Sequence, residues 1–221
     1  MKFKMFKLPL LSSALIGNAN AATFLTSGSY DAPAFEYISG MGFEGEIHDE
    51  STDMALDPAD NIFQIRQMST TTFQGNAYYW IPADILDAGN NMVPHIGVGL
   101  EELVAGDWVN SEIVITFQSL AYTGPGVGNF VFWTDSPGEI LHFDSSDGAG
   151  DALNTLAGRH VHYNWGFSEI GTYEITLGIS GTHVMDGPQT GAATYTIQVV
   201  PEPSSALLAG LGALVLLRRR R

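Results

Sequence analysis

Two histidines spaced two apart, His160 and His162, are the residues in this chain best placed to do chemistry. On a strand, alternate side chains share a face, so both imidazoles project from the same side. Such a pair offers two nitrogen ligands to zinc or copper, with a third from elsewhere such as His48, His142 or His183. The same two rings can instead hydrogen-bond within the sheet or against a neighbouring loop.

A second candidate is the loop Asp144-Ser145-Ser146-Asp147-Gly148-Ala149-Gly150-Asp151. Asp144, Asp147 and Asp151 put three carboxylates on a glycine-rich turn, and a calcium ion asks for several oxygens on such a loop. Their spacing does not follow the EF-hand register, which favours a solvated acidic turn. His48-Asp49-Glu50 with Asp53 poses the same choice with no better spacing. Trp80, Trp108, Trp133 and Trp165 offer either a sugar-stacking platform or packing inside a sandwich. No nucleophile elbow, H-E-x-x-H helix or phosphate-cradling glycine loop occurs, so a binding or structural role is expected and enzymatic activity is not. Carbohydrate binding and hydrolysis by paired carboxylates stay open as alternatives.

These residues are carried by a segment whose dominant period is two. Glu112 to Phe117, Asn129 to Trp133, Gly171 to Ile179 and Tyr195 to Val199 alternate or run in β-branched and aromatic residues between Gly and Pro turns. Phe43 to His48, Asn61 to Arg66, Ala77 to Ile81, Ile140 to Phe143 and Arg159 to Asn164 are further strand candidates. Only Asp84 to Asn90 and Gly99 to Ala105 look briefly helical. The pattern predicts an all-β, antiparallel β-sandwich, and Gly171-Thr172-Tyr173 fits a tyrosine corner of the immunoglobulin-like type.

Charge is strongly partitioned. The formal net charge is -15, yet Lys2, Lys4, Lys7 and the four terminal arginines are seven of the nine basic residues. Between them only Arg66 and Arg159 stand against all 24 acidic residues. Such a surface repels nucleic-acid phosphates and attracts cations. The chain has no cysteine, which rules out a disulfide framework and thiolate metal sites.

Both ends read as addresses. Three lysines, an apolar run from Leu8 to Ile16 and Ala19-Asn20-Ala21 have the form of a secretory signal peptide over residues 1–21, implying the translocon and signal peptidase as partners. After a domain at 22–199, residues 200–221 hold Pro201, Glu202 and Pro203, then an apolar run from Ala206 to Leu217, then Arg218, Arg219, Arg220 and Arg221. That run is shorter than the ~20 residues of a comfortable membrane span. The arginines would keep this end on the cytoplasmic side. The order and spacing resemble the PEP-CTERM sorting signal. The resemblance implies export, transient retention in the inner membrane through a short transmembrane helix, and cleavage by an exosortase near Pro201-Glu202-Pro203. Delivery to the cell surface or exopolysaccharide matrix would follow.

The middle carries a second likeness. Arg159-His160-Val161-His162-Tyr163-Asn164-Trp165-Gly166-Phe167, followed by Gly171-Thr172-Tyr173, resembles the signature of bacterial surface-anchored proteins of the choice-of-anchor M group. Gly45-Glu46-Ile47-His48-Asp49, Tyr79-Trp80-Ile81-Pro82 and Gly124-Pro125-Gly126 extend it upstream. Some relatives accompany metal-uptake transporters, so the resemblance implies a surface role with a metal-binding alternative.

Overall fold

The computed structural model describes residues 21–66 and 69–201. Nearly all of the signal-peptide segment and of the sorting tail lies outside the described residues. Among the described residues no helix is long and apolar enough to cross a membrane.

The all-β sandwich expected from the two-residue period is formed. One wall is a six-stranded sheet in the spatial order β1 (Thr23–Leu25), β5 (Asn61–Arg66), β16 (Gly187–Val200), β15 (Gly171–His183), β9 (Trp108–Thr123) and β12 (Ala152–Leu156). The opposite wall consists of two five-stranded sheets. One orders β11 (Ile140–Asp144), β10 (Phe130–Thr134), β14 (Asn164–Phe167), β7 (Asn76–Ile81) and β6 (Thr70–Phe73). The other orders β13 (His160–His162), β8 (His95–Gly99), β2 (Ser29–Ile38), β3 (Gly42–Asp49) and β4 (Met54–Leu56). Most pairings are antiparallel; β1 with β5, β5 with β16, and β2 with β8 run parallel.

Alternation decides which face is inward. Tyr173, Ile175, Leu177 and Ile179 of β15 are buried, as are Tyr195, Ile197 and Val199 of β16. Their register partners lie on the same face of the long sheet. Against that face one five-stranded sheet sets Phe130, Phe143 and Phe167, with Phe167 edge-on to Tyr173 at 4.9 Å between ring centroids. The other sets Phe35 and Phe43, and Phe43 stacks on Trp108 at 4.9 Å. Burial of these rings is the main apolar contribution to the fold.

The tyrosine corner is formed. The Tyr173 hydroxyl donates to the carbonyl of Glu169 at 2.7 Å and accepts from its N–H at 2.9 Å. A short helix α1 (Ile85–Asn91) follows β7, with the Asp84 carboxylate accepting from the Leu86 and Asp87 N–H groups at its start. The second helical expectation differs: residues 100–104 are irregular with a turn at Glu101 and Glu102, and Ala105–Asp107 closes a single 3₁₀ turn.

Arg159 to Asn164 does not form one strand. The chain breaks at Tyr163, so that β13 ends one sheet and β14 enters the other. Asn164 pins the crossing. Its carbonyl oxygen accepts from Trp80 Nε1 at 2.9 Å and from the Ala83 N–H at 3.0 Å. Its amide donates to Asp135 Oδ2 at 2.8 Å. Buried polar groups have to be paired in this way, and Asn164 is only 1% exposed.

Candidate metal centre

The register of one sheet explains how the site arises. His162 of β13 lies opposite Gly97 of β8, Gly97 lies opposite Asp31 of β2, and Asp31 lies opposite His48 of β3. Register partners project to the same face, so this row sets His162, Asp31 and His48 side by side with a gap at Gly97. His160 lies one step along, opposite Gly99. A Cβ on Gly97 would stand 2.7 Å from both Asp31 Oδ1 and His160 Nε2, and 3.0 Å from His162 Cε1. A Cβ on Gly99 would press on the Asp31 carboxyl at 2.6 Å from its Cγ. The two glycines are the floor over which the polar side chains converge.

His160 is the hub. Its Nδ1 lies 2.6 Å from Glu101 Oε1, while its Nε2 lies 3.0 Å from Asp31 Oδ1, 3.6 Å from Glu50 Oε1 and 2.9 Å from His162 Nε2. A carboxylate at that distance takes the Nδ1–H, which leaves Nε2 with a lone pair turned toward Asp31, Glu50 and His162. Two groups of three among the described residues bring ligand atoms within 4.8 Å of one another: Glu50, His160 and His162, and Asp31, Glu101 and His160.

Asp31 is the anomaly. It is 4% exposed, and its Oδ1 has no hydrogen-bond partner despite facing His160. Burial pushes its carboxyl up to about 6, against the pull of His160, and Glu101 and Glu50 add to the rise. His162 is pushed the other way, down to about 4, by burial and then by its neighbours His95 and His160. Its Nδ1 is also buried without a hydrogen bond.

His162 is held by a ring that the spacing argument did not single out. His95 stacks on it with centroids 3.7 Å apart and planes 12° from parallel. The carbonyl of Ala83 lies 3.0 Å from His95 Nε2 and fixes that nitrogen as the donor, while Nδ1 pairs with Ser29 Oγ at 3.2 Å. Because the Ala83 N–H is held by Asn164, the sheet crossing and the His162 ring are connected through one residue.

A pocket of about 350 Å³ opens over the cluster, lined by Asp31, Glu46, His48, Glu50, Asp53, Glu101, Glu102 and His160 among others. Six of those residues are acidic and none is Lys or Arg. His48 stands on this wall, 3.4 Å from Asp53, and does not belong to either group of converging ligands. His142 lies with Thr134, Phe132 and Tyr163, and His183 faces Asp186, so the other proposed third ligands are elsewhere.

The acidic loop is brought together differently. Asp151 Oδ2 accepts from the Asp144 N–H, and Asp144 Oδ1 accepts from the Ser146 N–H, each at 2.8 Å. Asp144, Asp147 and Asp151 form none of the converging groups among the described residues. Trp108, Trp133 and Trp165 are buried, and the half-buried Trp80 packs beside Trp133, which is packing and not a platform.

Asp31 and Glu101 escaped the sequence reading because their partners are distant in the chain. One signal was present: Asp31 is a lone carboxylate amid Tyr30, Ala32, Ala34 and Phe35, and Gly97-x-Gly99 interrupts an apolar strand. No curated protein matches the chain. The resemblance of the middle region to the choice-of-anchor M group gains no support from the comparisons. Residues 199–221 match the PEP-CTERM protein-sorting motif, and the chain thus carries the tail of an exported protein that is anchored in the membrane before exosortase cleavage.

Proposed function

We propose that this is an exported surface protein whose sandwich binds a divalent metal cation on the His160–His162 face, while its tail directs sorting to the cell surface or matrix. The role is binding, not catalysis. The observation that carries this reading is Asp31: a buried carboxylate oxygen with no hydrogen bond, 3.0 Å from the Nε2 of His160. Leaving such a group unpaired is costly, and a cation offsets that cost. The acidic pocket around it would concentrate cations and repel anions.

The test is a melting series with zinc or copper on the exported chain. A ligand that binds only the folded state at ~100-fold excess over Kd adds about 2.7 kcal/mol of stability. The native chain is expected to gain that increment and His162→Ala to lose it; no gain at millimolar metal refutes the reading. Sorting is tested separately by replacing Pro201, Glu202 and Pro203 in a host with the matching exosortase. The altered chain should accumulate uncleaved in the inner membrane, and an unchanged mature mass and location would rule out the tail as a cleavage signal.

A further inference from the structure

The two converging groups share His160, and an ion cannot use both nitrogens of that ring at once. We infer that the cation sits on the Nε2 side, held by Glu50, His160 and His162, and that Glu101 stays outside the coordination shell as the carboxylate that fixes His160. This rests on the metal-binding reading above and adds the ligand set and the class of ion.

The geometry separates the two sides. Nδ1 of His160 has one close carboxylate, Glu101 at 2.6 Å, a hydrogen-bond distance. Nε2 has Glu50 Oε1 at 3.6 Å and His162 Nε2 at 2.9 Å, which converge with it as one group, and Asp31 Oδ1 at 3.0 Å beside them. Ligands 2.0–2.2 Å from a tetrahedral zinc lie roughly 3.4 Å from one another. Glu50, His160 and His162 bring their ligand atoms within 4.8 Å of one another, whereas among the described residues Asp31 converges only with His160 and Glu101. The floor agrees with this, since Gly97 leaves open the space beside Asp31 Oδ1 and His160 Nε2. A histidine that binds metal through one nitrogen and donates its other N–H to a carboxylate is the usual means of fixing the ring and raising its basicity.

The donor set names the class of ion. Two imidazoles and one carboxylate, with a fourth position for water, suit zinc and its tetrahedral substitute cobalt. Calcium takes six to eight oxygens, and copper(I) prefers sulfur, which no ligand here supplies. His95 belongs to the surround, stacking on His162 without presenting a nitrogen to the ion, because both its nitrogens are engaged.

The experiment is titration of the exported chain with Zn²⁺ and Co²⁺, following stoichiometry and Kd by calorimetry and coordination by the Co²⁺ absorption spectrum. The native chain should bind one ion with the intense spectrum of a four-coordinate site, and zinc should outcompete calcium. Glu101→Gln should keep the stoichiometry and the spectrum while weakening affinity about 10–100-fold, the usual cost of losing an outer carboxylate. Glu50→Ala, on an exposed turn, should change the spectrum itself. The assignment is overturned if Glu101→Gln changes the spectrum and Glu50→Ala does not, a result that leaves metal binding intact but moves the ion to Nδ1. Preference for calcium over zinc overturns the class of ion. A native chain that binds neither probe overturns this inference and the proposed function together.

Discussion

Replacing Gly97 by alanine is the smallest change that separates the site from the fold. The new methyl would lie 2.7 Å from Asp31 Oδ1 and His160 Nε2, well inside van der Waals contact and close to where a shared cation has to stand. Overpacking of this kind costs roughly 1–3 kcal/mol, which a sandwich of this size should survive. The metal increment should not survive. For the native chain, about 2.7 kcal/mol at 100-fold excess over Kd corresponds to roughly 5–10 °C of melting temperature at 2–4 °C per kcal/mol. Gly97→Ala is therefore expected to melt slightly lower than the native chain without metal, and to show no rise when zinc is added. Differential scanning calorimetry with and without zinc reads both numbers. A variant that keeps the native rise would refute the reasoning, because the methyl and the ion would then occupy the same space.

Asn164→Ala should destabilise the chain by about 2–4 kcal/mol in urea unfolding, since it strands Trp80 Nε1, the Ala83 N–H and Asp135 at a buried crossing. It should also weaken zinc binding, because Ala83 holds His95 against His162. Acid titration of the chelator-treated chain should reveal two opposed effects. His162, with its folded value pushed down from 6.5 to about 4, costs stability as pH falls through that window, because only the unfolded chain takes up the proton. Asp31, raised from 3.8 to about 6, works the other way: the stability it contributes is present at low pH and lost as pH rises through 6. Asp31→Asn removes the second effect, so its stability should fall more steeply than the native chain's between pH 6.5 and 4. Equal slopes would show that Asp31 does not titrate as its burial requires.

The fold was legible where side chains alternate locally. Tyr173, Ile175, Leu177 and Ile179 announce β15 and its inward face, and Glu169 with Tyr173 closes the corner that the Gly171-Thr172-Tyr173 run allows. The break at Tyr163 was not legible. Apolar and aromatic residues continue across it without a Gly or Pro, and only the burial of Tyr163 against Phe132 shows why the chain changes sheets there. Half of the candidate site was visible as His160-x-His162, because two residues on one strand share a face by local geometry alone. Asp31, Glu101 and the supporting ring of His95 were not, since cross-strand register brought them in from segments more than fifty residues away.

The position of β16 has a mechanical consequence. This strand runs to Val200, so the matched tail at 199–221 begins within the strand's last two residues, with no linker between it and the folded body. β16 is also internal to its sheet, with thirteen register pairs to β15 and five to β5. Tension applied through Pro201 is therefore directed along a central strand and shared by its flanking hydrogen bonds at once. They would have to fail together in shear and could not unzip one after another. A domain held at its C-terminus to a membrane or a matrix would meet drag and flow through the strand least able to peel away.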